Sequence, residues 1–405
     1  FGHARYPSTR SALLPIAIAD LLSLRHCHSC QGKFMSHGKH QVIAIVFAAL
    51  VLFTASATAA STLEDANTRA RQYVQQTMKE QRIPGLQVAV IKDNRIALSE
   101  SYGLANVENR VAATKATLFP INSATKSFTG VAIMQLAEAS LVDLDAPVSR
   151  YLDGLPEAWR GVRVRQLLAH TSGLPDILDQ DGLVGGGSEL EAWKAVKQLP
   201  MDGPIGERFA YNQTNYALLS QIVAKQAKMP YAQYIAKRQF NVAGMHSSTF
   251  GDSYDLLPNA ATMYSYFPRK TDAEGERERL SHWFYDMPPG LWAGGGIQTT
   301  ADEIAHWMIA LFGGLLISGD DLQRMWTPEK LNSGADGSWS AGWPVLQSSG
   351  HRQIAGMGGA RAAFIVYPDD GLAVIVLTNL VGSNPQNFIP KIAGFYLTSS
   401  SGKPN

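Results

Sequence analysis

Apolar residues recur along this chain with different periods, and each period marks a kind of element. Between 62 and 82 (TLEDANTRARQYVQQTMKEQR) the spacing predicts an amphipathic helix. LQVAVI and RIALSESYG then flank an Asp-Asn pair, a strand-turn-strand pattern. Near the other end, RAAFIVYP and LAVIVLTN flank Asp369-Asp370-Gly371 and predict a second hairpin, followed by a helical stretch at about 385–396. From 121 to 330 the pattern is mostly helical, broken by loops such as GLVGGGS (182–188) and by the charged TDAEGERERL (271–280). No repeat or heptad is present. Strands at both ends with helices between them predict an α+β fold: one sheet built from both termini and a helical insertion. The expected sheet domain is 60–120 with 290–397, the helical domain 121–289, and the tail 398–405.

The first sixty residues follow another logic. From Met35 a positively charged SHGKHQ precedes the apolar run VIAIVFAALVLF (42–53) and the small residues TASATAAS. That is the order of a secretory signal peptide over 35–59, with the cut expected after Ala57 or Ala59. The apolar run is shorter than the roughly 20 residues of a membrane span, so no stable span is expected in the mature form. A periplasmic or secreted location follows. Residues 1–34 match no targeting pattern and read as an upstream or non-native segment. Both cysteines, Cys27 and Cys30, lie there beside His26 and His28, with no second pair at metal-ligand spacing. The mature part is then free of disulfides and thiol chemistry.

Composition narrows the function. The 405 residues are 45% hydrophobic and 17% charged with a formal net charge of +1, enough apolar material for a large core. No block of lysine and arginine stands out, so no nucleic-acid partner is expected.

Candidate chemistry begins at FPINSATKSF (119–128). Ser123 and Lys126 are three residues apart and meet on one face if the segment is helical. The spacing alone is weak, since Ser36/Lys39 and Ser400/Lys403 share it. What separates Ser123 is the run behind it, apolar almost all round from Phe128 to Ala137, as in a buried helix. Burial and the positive end of a helix both favour a neutral amine, and a neutral amine can take a proton from a serine. Equally, Ser123 could cap the helix while Lys126 reaches water. Taken alone, these residues leave both readings open.

Two further stretches matter. FAYNQTNYALLS (209–220) puts Tyr211 and Asn212 at a loop-helix junction. HRQIAGMGGARAAFIVYP (351–368) sets Gly356, Gly358 and Gly359 before an apolar strand, where a ligand can approach backbone N–H groups as in an oxyanion hole. No G-x-S-x-G elbow occurs. Among the mature histidines His170, His246, His282, His306 and His351, only His170 in LLAHTSGLPD invites a triad role, and a structural one is expected.

In this order, the segments resemble the serine β-lactamase and penicillin-binding-protein superfamily. They are most similar to its class C β-lactamase-like branch, which includes family VIII carboxylesterases and D-aminopeptidases. The resemblance runs over roughly 65–397 and rests on FPINSATKSF, VRQLLAHTSGLPD, FAYNQTNYALLSQIV, AGGGIQTTADEIAHWMIAL and MGGARAAFIVYPDDGLAVIVLTN. It implies an antiparallel sheet with helices on its faces and a site between sheet and helical domain. It implies Ser123 as acylated nucleophile, Lys126 and Tyr211 as proton-transfer pair, the N–H groups of Ser123 and Gly359 as oxyanion hole, and no metal or organic cofactor. Gln213 stands where the family usually has asparagine, and Gly356-Met357-Gly358 where it usually has a triplet beginning with lysine or histidine. Gln213, this triplet and Arg361 are the expected substrate contacts, although strict strand alternation would turn Arg361 away from the face of Gly356. The expected function is a serine hydrolase forming an acyl-enzyme, chiefly on small neutral carboxylic esters with weak β-lactam hydrolysis. The alternatives are a β-lactamase or D-Ala-D-Ala carboxypeptidase or D-aminopeptidase, and a non-hydrolytic peptidoglycan-binding relative.

Overall fold

A computed structural model of the chain describes residues 62–268, 278–346 and 350–397. The leader expected at 35–59, the segment before it with Cys27 and Cys30, most of the charged 271–280 stretch and the tail lie outside these residues.

Helix α1 (62–80) opens the described chain. Seven strands form the central sheet: β1 (Gly85–Lys92), β2 (Arg95–Asn106), β3 (Val111–Ala112), β4 (Val345–Leu346), β5 (Gln353–Gly358), β6 (Ala362–Tyr367) and β7 (Leu372–Thr378). Their order is β4-β5-β6-β7-β1-β2-β3, and every pairing is antiparallel. The hairpin turns sit where expected. Asp93 and Asn94 both take positive φ between β1 and β2, as a two-residue turn requires, and Gly371 does so before β7. β1 pairs with β7 from Leu86↔Thr378 to Lys92↔Leu372, which joins the two ends of the chain.

β1, β6 and β7 are apolar on both faces, so the sheet is a middle layer. Leu86, Val88, Val90, Ala363, Ile365 and Val374 meet α1 through Ala66, Ala70 and Val74, and meet α5 (Ile389–Ala393) through Ile389 and Ile392. Ala89, Ile91, Phe364 and Ile375 face the opposite way, into a core continuous with α2 (Thr125–Glu138), α3 (Thr214–Ala227) and α4 (Ala301–Phe312). Helix α2 runs through the middle of that core, buried at every position from Thr125 to Leu136. Among the described residues, no helix is long and apolar enough to cross a membrane.

Candidate active site

The residues before α2 form a tight 3-10 turn, Asn122–Ala124, with Asn122 in left-handed conformation at φ +44°. Asparagine tolerates that region better than most residues. Side chains then anchor the helix to the segment before α4. Thr129 donates to the carbonyl of Ala293 at 2.7 Å, and Thr125 Oγ1 accepts from the N–H of Ile297 at 3.2 Å. The capping alternative for Ser123 fails here: Ala124 is the N-cap, and no side chain caps the helix.

Ser123 Oγ instead accepts from the Tyr211 hydroxyl at 2.7 Å and, at a longer 3.4 Å, from Lys126 Nζ. Lys126 does not reach water; it is 0% exposed. Its Nζ donates to Gln213 Oε1 at 2.9 Å and to the carbonyl of Gly294 at 2.8 Å. The rings of Tyr211 and Tyr216 lie 4.8 and 5.0 Å from Nζ. Lys126 has no ion pair among the described residues, so neutral acceptors and aromatic faces hold this nitrogen.

Tyr211 and Gln213 reach the nucleophile because the loop before α3 is pinned from below. Asn212 Nδ2 donates to Leu174 O, and Asn212 Oδ1 accepts from the N–H of Asn215. Thr214 donates to Pro175 O, and Asp176 Oδ1 accepts from the N–H of Gln213 at 2.9 Å. Burial raises the Asp176 carboxyl above its ordinary range, against the opposing pull of these N–H groups. His170 lies beneath Tyr211, ring centroids 4.4 Å apart, and is fully buried. Its Nδ1 faces the Asn212 N–H at 3.3 Å and Asn215 Nδ2 at 3.1 Å, which leaves the proton on Nε2, an atom with no partner among the described residues. Burial, then the charge of Lys126, pushes its pKa well below the ordinary histidine value. His170 makes no hydrogen bond to Ser123, so it supports the tyrosine loop and is not a base for the serine.

The third stretch closes the site from the sheet. A Cβ on Gly358 would fall 1.9 Å from the carbonyl oxygen of Ile121 and 2.7 Å from the nitrogen of Ser123, so only glycine lets β5 lie against the nucleophile turn. Gly359 (φ +57°) and Ala360 (φ +53°) form the two-residue turn into β6, closed by Arg361 N–H to Gly358 O at 3.1 Å. The N–H of Gly359 has no acceptor among the described residues, and Ser123 sits in a first turn, where N–H groups lack helical acceptors. Gly356 faces the inner core, where a Cβ would meet the ring of Phe364 at 2.0 Å. Met357 turns to the outer core. Arg361 ends a turn, so strand alternation does not govern it. Its side chain packs inward, 2% exposed, with Nε donating to Asn122 Oδ1 at 2.9 Å. Among the described residues no three His, Cys, Asp or Glu side chains are grouped to hold a metal ion.

The Beta-lactamase family profile matches residues 70–393, most of the chain. The chain belongs to the beta-lactamase family. Protein flp of Staphylococcus aureus strain MW2 is 27% identical over 241 residues, which are 58% of this chain and 47% of that protein. The chain thus aligns with about half the length of that relative. Among solved structures, the octameric penicillin-binding protein homologue from Pyrococcus abyssi superposes with a TM-score of 0.67 at 25% identity, covering 80% of this chain and 76% of its own. EstCE1, described as a hydrolase with promiscuous acyltransferase activity, shares the fold with a TM-score of 0.68 at 19% identity, over 82% of this chain and 99% of its own.

Within this beta-lactamase-family chain, the glutamine at 213 still reaches the lysine. Its extra methylene is absorbed because Gly294 leaves room: a Cβ there would lie 2.6 Å from Gln213 Oε1. Gly294 itself escaped the sequence reading, although the glycine run at 294–296 signals close backbone approach. Asn122 and Tyr285, the neighbours of Arg361, carried no local signal.

Proposed function

We propose that the protein is a serine hydrolase that works through an acyl-enzyme, with small neutral carboxylic esters as substrates. The observation that carries this reading is the convergence of Tyr211 Oη and Lys126 Nζ on Ser123 Oγ, with Lys126 held by Gln213 and Gly294. Acting as the base, Lys126 would keep two N–H bonds on Gln213 Oε1 and Gly294 O and turn a lone pair to the serine hydroxyl. Ser123 Oγ attacks the ester carbonyl as its proton passes to Lys126. The N–H groups of Ser123 and Gly359 stabilise the oxyanion. Collapse breaks the bond to the alkoxide, which takes a proton relayed through Lys126 and Tyr211. Water then attacks the acyl-enzyme by the reverse route, releasing the carboxylic acid and restoring Ser123.

The preference for neutral esters rests on position 356. Glycine there carries no cation, and the ring of Phe364 fills the space a side chain would need. A carboxylate-bearing β-lactam or peptide terminus therefore lacks that anchor. The leader-like order of 35–59 supports action in the periplasm or medium; exported protein should begin at Thr58 or Ala60 by N-terminal sequencing.

The test compares wild type and Ser123→Ala on p-nitrophenyl esters of rising chain length, a chromogenic cephalosporin and a D-Ala-D-Ala peptide. Wild type should turn over short esters best, and a fluorophosphonate should label Ser123. Wild-type ester turnover by Ser123→Ala would refute the mechanism. Faster turnover of the cephalosporin or peptide than of any ester would assign a β-lactamase or D-peptidase. No labelling and no turnover would leave a binding protein.

A further inference from the structure

Among the described residues, Arg361 is a buried cation without a counter-ion. The residue is 2% exposed, and no carboxylate is among the groups that shift its pKa. Its contacts are the Nε bond to Asn122 Oδ1 and the face of Tyr285, whose ring centroid lies 4.8 Å from the guanidinium carbon. Tyr285 is no hidden anion. Its hydroxyl accepts from Gln298 at 2.7 Å, and burial pushes its pKa upward. Burial pulls Arg361 down, against a smaller opposing effect of Tyr285, to about 10, which still leaves it charged at neutral pH. An unpaired buried charge is costly, and one use that offsets the cost is to face a negative charge that forms or binds nearby.

The location says where. Arg361 lies at the seam between the nucleophile turn and the β5–β6 turn. Asn122, which receives its hydrogen bond, directly precedes Ser123. A Cβ built on Gly359 would fall 2.8 Å from Asn122 Oδ1 and 3.2 Å from Arg361 Nε. The two N–H groups assigned to the oxyanion hole thus belong to residues flanking this one contact. We propose that Arg361 is an electrostatic positioning residue, whose unpaired charge beneath the oxyanion hole stabilises the negative oxygen of the tetrahedral intermediate. This inference rests on the acyl-enzyme reading and supplies from behind the hole a positive charge that position 356 does not offer in front. Asn122 suits the role because it is neutral: it orients the guanidinium without cancelling its charge.

The decisive variant is Asn122→Asp, which keeps the shape and the acceptor oxygen but neutralises the pair. It is measured beside Arg361→Met, which removes the charge, and Arg361→Lys, which retains it. Each full-length protein is titrated with a fluorophosphonate, so rates on p-nitrophenyl acetate, p-nitrophenyl butyrate and a chromogenic cephalosporin are expressed per active Ser123. Asn122→Asp should melt at or above the wild-type temperature, while kcat per site falls about 10- to 100-fold and KM changes less than about threefold. Arg361→Met should show the same fall, and Arg361→Lys should recover most of it. If Arg361→Met does not fold, the other two variants decide. Asn122→Asp with kcat within about threefold of wild type overturns the proposal, as does Arg361→Lys no better than Arg361→Met. A loss confined to the carboxylate-bearing cephalosporin also overturns it and makes Arg361 a substrate anchor. Failure of the underlying reading would show differently, as wild-type protein unlabelled at Ser123.

Discussion

Lys126 is the residue on which the site turns, and its partners are all uncharged. Removing one leaves the nitrogen under-satisfied and free to swing. Gln213→Leu is predicted to lower kcat on short esters about 10- to 100-fold with the fold intact, measured by steady-state kinetics and circular dichroism. Tyr211→Phe, which deletes the 2.7 Å contact to Ser123, should cost about 100-fold or more in kcat. His170 predicts a pH effect on stability. Its folded-state pKa is depressed, so below the ordinary value near 6.5 the unfolded chain binds a proton that the folded chain refuses. Stability from this group is complete above that value and falls as the pH drops below it, by about 1.4 kcal/mol per unit. Urea unfolding between pH 5 and 7 should show that slope in wild type and lose it in His170→Asn. At this scale the meeting of Ser123, Lys126 and Tyr211 was legible because motif order carries it. Gly294, Asn122 and the burial of Arg361 were not, because nothing local marks a carbonyl or a charge that matters only through what folds against it.

At the level of elements, the hairpins announced themselves. Alternating and β-branched runs around Asp93-Asn94 and Asp369-Asp370-Gly371 define strand, turn and strand without help from the rest of the chain. The β5–β6 turn did not. Counting strict alternation through it placed Arg361 on the wrong side of the sheet, because Gly359 and Ala360 form a turn and Arg361 closes it. The contact between β5 and the nucleophile turn yields a sharp prediction. Gly358→Ala drives a methyl into the backbone at Ile121 and Ser123, which no rotamer change can relieve. It should lower the melting temperature by several degrees, as overpacking costs about 1–3 kcal/mol. It should also abolish fluorophosphonate labelling, since the shift falls on Ser123 itself. Differential scanning fluorimetry and active-site titration check both outcomes.

Across the whole molecule, the sheet is the joint between sequence-distant halves. Local patterns foretold strands at both ends and helices between, and the superfamily resemblance supplied the antiparallel arrangement. The register of β1 against β7 was beyond them, since both strands are apolar on both faces and periodicity cannot align them. That pairing has a consequence in time. β1 is synthesised long before its partner across the ladder, and long before β5 with its glycine contact to Ser123. Contacts so distant in sequence make for slow folding. Refolding from urea should therefore show tryptophan fluorescence recovering ahead of ester hydrolysis, with turnover returning only in the slowest phase. A nascent chain ending before β5 would already carry Ser123, Lys126 and Tyr211 but lack Gly359 and Arg361. On the proposed mechanism, ester hydrolysis should be absent until β5, β6 and β7 have joined the sheet.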